Sequence, residues 1–278
     1  MKTIRNEEFG GERPLYASRD LEVEGITVHE GESAFKESSG ILARSSVFEG
    51  RYPFWCCNGV SLEGCRFTED SRAPIWYSSD VRMKDCDVEA PKILRELDGI
   101  SIEGCRFPKA VETLWDCRDV KISRSSFSGA DYFCSRCRGL RIEGLQLKGK
   151  YTFQYCRDVE IRDSVLDTKD AFWEAEGVTI YDSLVKGEYL GWYSRGLRLV
   201  RCRIAGTQPL CYARGLVLED CTFDPDADLA FEYSEVEATI KGSVTSVKNP
   251  LTGHIKADSY GSIILDENIK APGDCVIE

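Results

Sequence analysis

The chain has 278 residues, 42% of them hydrophobic, and a formal net charge of −11. That apolar content excludes a disordered chain, and the acidic balance argues against nucleic acid or an anionic membrane surface as partner, because both need a basic footprint. The opening MKTIRNEEFGGERPLY carries no apolar run, so no signal peptide is expected. No later stretch approaches the roughly 18 apolar residues of a membrane span.

The elements follow one phrase. Looser copies begin at Asp20 and Gly40, and GVSLEGCRF at Gly59 sets the pattern. It returns as DVRMKDCDV, GISIEGCRF, DVKISRSSF and GLRIEGLQL, then as DVEIRDSVL, GVTIYDSLV, GLRLVRCRI and GLVLEDCTF, with a decayed copy at Glu235. The first apolar residue of each copy serves as marker: Leu21, Ile41, Val60, Val81, Ile100, Val120, Leu140, Val159, Val178, Leu197, Leu216 and Val236. Their spacing of roughly 19.5 residues lies near the low end for solenoid repeats. Leucine-rich repeats share that period, but the Leu/Asn pattern and the helical segment are missing. The expectation is an all-β, single-stranded right-handed parallel β-helix of about twelve coils, forming one domain over 1–278. Residues 1–20 and 240–278 depart from the phrase and are expected to cap the open sheet edges. Within the second cap, SVKNPLTGHIKAD reads as two short strands around a turn.

Within each copy the marker and the residue two places on are expected inward, followed by a corner and two further inward positions, five and seven places on. The last of these holds Phe48, Phe67, Phe107 and Phe127 among others; the one before it holds Ser and Cys. Ser and Cys share a size, so this position is expected to select for volume. The Gly or Asp before each marker suits a left-handed turn. Thirteen cysteines in a leaderless chain read as reduced thiols in a cytoplasm. The CxxC of Cys134 and Cys137 lacks a second ligand pair, so packing is preferred there over zinc. No metal or other cofactor is expected.

Five residues before the markers lie all five tryptophans, Trp55, Trp76, Trp115, Trp173 and Trp192, with Arg95 in the same column. The next column holds Tyr77, Asp116, Glu174 and Tyr193; upstream lie Glu112, Asp131, Lys169, Asp170 and Glu188. So many charges cannot all be interior. The inward member of this strand is expected six places before the marker, at Phe35, Phe54, Ile75, Leu94, Leu114, Phe153, Phe172 and Leu210. Aromatic residues interleaved with carboxylates suit sugar rings and hydroxyls. Stacked aromatics also stabilise solenoids as plain ladders, and that alternative stays open.

The phrases GESAFKES, RYPFWCCNGV, APKILRELDGI, AVETLWDCRDV, DAFWEAEGV, GEYLGWYSRGL, LAFEYS and SVKNPLTGHIKAD resemble a bacterial family classed as a domain of unknown function. That family is similar to the pectin-lyase-like right-handed parallel β-helix proteins. The resemblance implies the fold and no reaction, since β-helices host lyases, hydrolases, adhesins and silent proteins.

Two functions fit the residues. One is a glycoside hydrolase drawing an acid and a base from Glu112, Asp116, Asp131, Asp170, Glu174 and Glu188. Its substrate, an oligo- or polysaccharide, would lie on Trp76, Tyr77, Arg95, Trp115, Lys169, Trp173, Trp192 and Tyr193. The other is a non-catalytic scaffold using the same face for a glycan or a protein. Carboxylates all paired to Lys or Arg would favour the second.

Overall fold

Alternation of apolar and polar residues at the markers builds the first side of every coil. Six-residue strands such as Ser79–Lys84, Asp98–Glu103 and Arg118–Ser123 stack in parallel, and Val81, Ile100 and Val120 stand in one row. Met83, Ile102 and Ile122 form the row beside it, and all six side chains are buried. A corner then leads to a short second side, where Phe107 pairs with Phe127. The third side places Phe54 beside Ile75 and Trp55 beside Trp76, and continues through single bridges from Trp76 to Arg95, Trp115 and Ser135.

This computed structural model describes residues 2–267 and 273–278. Met1 and residues 268–272, the latter within the expected C-terminal cap, lie outside the described residues. The chain divides into two compact units, 1–141 and 142–278. The second repeats the plan of the first: Val159, Val178 and Leu197 form one inward row, and Leu166, Val185 and Ile204 another. The protein is an all-β parallel solenoid of about 14 turns, against the twelve expected from the phrase. No helix occurs among the described residues.

The extra turns lie at the two ends. Lys2–Arg5 pairs with the first repeat strand, Lys2 opposite Leu21 and Ile4 opposite Val23, so residues 2–20 already carry a coil. Lys2 stands where every copy of the phrase has an apolar marker, which hides that coil from a hydropathy pattern. At the other end, Glu235–Lys248 and Thr252–Ile264 are far longer than the two short strands expected. They pair in parallel, Glu235 opposite Thr252, with a register shift between Ile240 and Ser243. Strand runs through the corner there instead of stopping at it, and that bulge breaks the period-two pattern.

Left-handed positions mark the three corners of each coil, and others, such as Lys92 with Leu94 and Glu112 with Leu114, lie along the third side. Asp80 (φ 52°) and Gly99 (φ 75°) precede their markers as expected. Asp85 and Gly104 form the second corner, and Tyr77, Glu96 and Asp116 the third. A left-handed residue with a side chain costs about 1–2 kcal/mol, which hydrogen bonds between coils offset. At the third corner Tyr77 donates to the Arg95 carbonyl (3.0 Å), Glu96 to Trp115 (2.8 Å) and Asp116 to Ser135 (2.9 Å).

Inside, Phe35 stacks on Phe54 with ring centroids 5.0 Å apart, and Phe153 on Phe172 at the same distance. The Ser/Cys column does more than match volume. Ser125 Oγ accepts the Cys105 N–H (3.1 Å) and donates to the Ser123 carbonyl (2.8 Å). Cys105 Sγ in turn accepts the Cys86 N–H (3.4 Å) and donates to Glu103 (3.3 Å). The corner amide needs an acceptor, which a small hydroxyl or thiol supplies; Ile26 and Leu145 fill the same column without one. Ser125→Cys is therefore expected to be tolerated, whereas Ser125→Ala strands the Cys105 amide and costs about 1–3 kcal/mol, read from the denaturant midpoint. Eleven of the thirteen cysteines are buried. Burial pushes the Cys57 thiol up to about 12, against a smaller opposing effect of backbone hydrogen bonds. Such thiols serve packing and hydrogen bonding.

Candidate grooves on the third side

Phe54, Ile75, Leu94 and Leu114 are fully buried, as the six-back column requires. Alternation along the strand then turns the next column outward, and all five tryptophans are half-buried. Three of their indole N–H groups are hydrogen-bonded. Trp76 donates to the Lys92 carbonyl (2.7 Å), Trp192 to Gln208 (2.9 Å) and Trp173 to Glu174 Oε1 (3.3 Å).

In the first unit the Arg95 guanidinium lies between two indoles, 4.7 Å from the Trp76 ring centroid and 5.0 Å from that of Trp115. It also binds Glu112 Oε2 at 3.0 Å, while Lys92 binds Oε1 at 3.1 Å. Arg95 thus completes the aromatic row as a cation, and Glu112 neutralises it. Arg95 Nε is buried there without a hydrogen-bond partner among the described residues. Beside this row runs an open groove of about 650 Å³ lined by Tyr77, Ser79, Glu96, Asp98, Asp116 and Arg118. Tyr77 is 44% exposed. Asp131 lies upstream and half-buried, and its carbonyl accepts the Glu112 N–H (2.8 Å).

The second unit carries its own groove, about 420 Å³, lined by Arg157, Glu174, Glu176, Tyr193, Arg195, Tyr212 and Arg214. Tyr193 and Tyr212 stack at 4.9 Å with their planes 19° apart, and Trp173 and Trp192 lie 5.8 Å apart. Rings stacked this way cover one another's faces and present edges and hydroxyls to solvent. Burial raises the Tyr212 phenol, with the Glu232 carboxylate adding a smaller push, so it stays a donor. Upstream, Glu188 is held by Lys169 at 2.7 Å, and the Lys169 ammonium lies 5.2 Å from the Tyr189 ring.

Asp170 is only 9% exposed, and desolvation raises its carboxyl above the usual range, partly opposed by Lys169. A raised carboxyl holds its proton better in the folded than in the unfolded state. Its contribution to stability is complete below the unfolded value and is lost as pH rises through the folded one. Asp170→Asn should therefore stabilise the protein at pH 7 and lose that advantage in acid. Asparagine accepts the left-handed backbone there (φ 51°). Thermal unfolding at pH 7 and pH 3 measures the difference.

The structure thus gathers Tyr77 with Asp116 in one groove and Glu174 with Tyr193 in the other. It ties Glu112 and Glu188 to cations, buries Asp170 and leaves Asp131 outside the grooves. Glu96, Asp98, Arg118, Arg157, Glu176, Arg195, Tyr212 and Arg214 complete the linings. The sequence signal for several of them is a second outward column, two residues before each marker, which holds Arg118, Arg138, Arg157, Arg195 and Arg214. Among the described residues no group of three His, Cys, Asp or Glu side chains is arranged to hold a metal ion.

Solved structures with a similar course include the pentapeptide repeat protein HetL, involved in heterocyst differentiation regulation in the cyanobacterium Nostoc sp. strain PCC 7120. It is 11% identical, with 84% of this chain and 89% of HetL covered and a TM-score of 0.24. The surface adhesin PfbA of Streptococcus pneumoniae is 9% identical, with 94% and 80% covered and a TM-score of 0.33. The catalytic domain of a GH87 α-1,3-glucanase, solved with tetrasaccharides, is 10% identical, with 99% and 63% covered and a TM-score of 0.30. No curated protein matches the chain. A family model does, over residues 2–278, and the chain belongs to the family described as "Protein of unknown function (DUF3737)".

Proposed function

We propose that this protein binds an oligo- or polysaccharide in the open grooves of its third side and does not hydrolyse it. The observation that carries this reading is the state of the carboxylates. Glycoside hydrolysis needs one protonated and one ionised carboxyl facing the same bond. Glu112 is clamped by Lys92 and Arg95, and Glu188 by Lys169. A carboxylate whose oxygens are held by Lys or Arg is not free to approach a glycosidic oxygen as the acid. Asp116 and Glu174 are exposed, each in an open groove of mixed charge. Exposed carboxylates, guanidinium forks and phenol edges suit sugar hydroxyls, which donate and accept together. The groove volumes fall within the roughly 300–1,000 Å³ of small-ligand sites.

Calorimetric titration of neutral oligosaccharides into the full chain tests the reading. Binding is expected, weakened about tenfold when Asp116→Asn removes a charged acceptor. Absence of heat with every neutral glycan, or affinity indifferent to Asp116→Asn and Tyr77→Ala, would exclude the first-unit groove.

A further inference from the structure

The second-unit groove contains a charge that its surroundings do not balance. Two residues before successive markers stand Arg157, Glu176, Arg195 and Arg214, and Glu235 lies one residue before the next marker. Arg157 pairs with Glu176 and Arg214 with Glu235, each at 3.4 Å. Arg214 also donates to the Tyr233 carbonyl at 3.0 Å. Glu174, the other acid of the groove, already accepts the Trp173 indole N–H. Arg195 is exposed and has no ion-pair partner among the described residues; it stands in register with Glu176 on the preceding coil, whose carboxylate is held by Arg157, and with Arg214 on the next coil. Like charges directly opposite on neighbouring strands repel. The same two coils bring Tyr193 and Tyr212 into the groove, one phenol beside each arginine.

We propose that Arg195 and Arg214, with the Tyr193 and Tyr212 hydroxyls, form a site for a tetrahedral oxyanion, a phosphate or sulfate ester carried on a sugar. The sugar carrier rests on the saccharide reading above; the anion rests on the arginines alone. Of two coils about 4.8 Å apart, one supplies the Arg195 fork, the other the Arg214 donors not used by Glu235 and the Tyr233 carbonyl, and each adds one O–H donor. A carboxylate has two coplanar oxygens, which a single arginine fork satisfies. A phosphate or sulfate directs oxygens toward both coils at once and relieves the repulsion between them. The net charge of −11 disfavours loosely held anions, so occupancy depends on this built pair.

The test is a titration of the full chain with glucose 6-phosphate, glucose 6-sulfate, glucuronate, inorganic phosphate and a neutral glucose oligomer. Both esters are expected to bind, and glucuronate more weakly. Arg195→Gln should weaken the esters at least about tenfold, with Arg195→Lys intermediate. Inorganic phosphate binding as well as the sugar ester keeps the anion site and removes the sugar carrier. Failure of the neutral oligomer alone defeats the saccharide reading and leaves this site standing. No binding of either ester, glucuronate binding as tightly as the esters, or esters indifferent to Arg195→Gln overturns the proposal.

Discussion

Gly187→Ala is expected to cost more stability than any other single substitution considered, at least about 4–5 kcal/mol, the range reserved for exceptional mutations. Gly187 leaves the second side of its coil at φ 144°, and its N–H donates to the Ala205 carbonyl at 2.9 Å. A Cβ there would lie 1.2 Å from the Thr168 carbonyl oxygen and 2.4 Å from its carbon. Both atoms belong to the backbone of the preceding coil, so no rotamer relieves the clash. Either the turn moves or the contact between coils opens. Since a solenoid's stability is close to a sum of neighbouring interfaces, opening one interface is felt along the second unit. A urea titration followed by tryptophan fluorescence should show a much lower midpoint, with Trp192 losing its native environment first. A midpoint within about 1 kcal/mol of the parent would mean that the coils are not packed as described.

Phe107→Ala comes second, at about 3–5 kcal/mol. The ring is 1% exposed and stacks on Phe127 at 4.3 Å with the planes 8° apart. Truncation leaves a void between two coils whose backbones are tied by hydrogen bonds and cannot close on it. Phe107→Leu should cost less than about 1.5 kcal/mol, because the same column accepts Leu147, Leu166, Val185 and Ile204 elsewhere. Equal losses for Ala and Leu would point to aromatic stacking itself, and small losses for both to a position outside the core. Denaturant midpoints of the two variants separate these outcomes.

Most of the coil was legible because it rests on period-two alternation and on corners that prefer Gly or Asp. Both are properties of single positions, so Val81, Ile100 and Val120 could be aligned before any contact was known. The end coils were hidden where the pattern is interrupted: Lys2 occupies a marker, and a bulge near Ile240 shifts the register. The hydrogen-bonding role of Ser125 was also hidden, since it depends on an amide from the neighbouring coil. On the third side, spacing indicated an outward Trp column. It could not show that Arg95 would lie between Trp76 and Trp115, or that Glu112 would be spent on Arg95 and Lys92. Ion pairing is settled by side-chain reach across coils. The grooves themselves combine two columns, and the arginine column stands out only once the tyrosines and carboxylates beside it are known to face solvent.

Saturation-transfer NMR on the full chain with a panel of neutral oligosaccharides tests the central claim most directly, because one set of spectra reports both contact and cleavage. Saturation should pass to the ring protons of at least one glycan, fall when Asp116→Asn or Glu174→Gln is introduced, and leave the anomeric signals unchanged over days. New reducing-end anomeric signals that grow with time would contradict the account, as would a complete lack of transfer to every sugar tested.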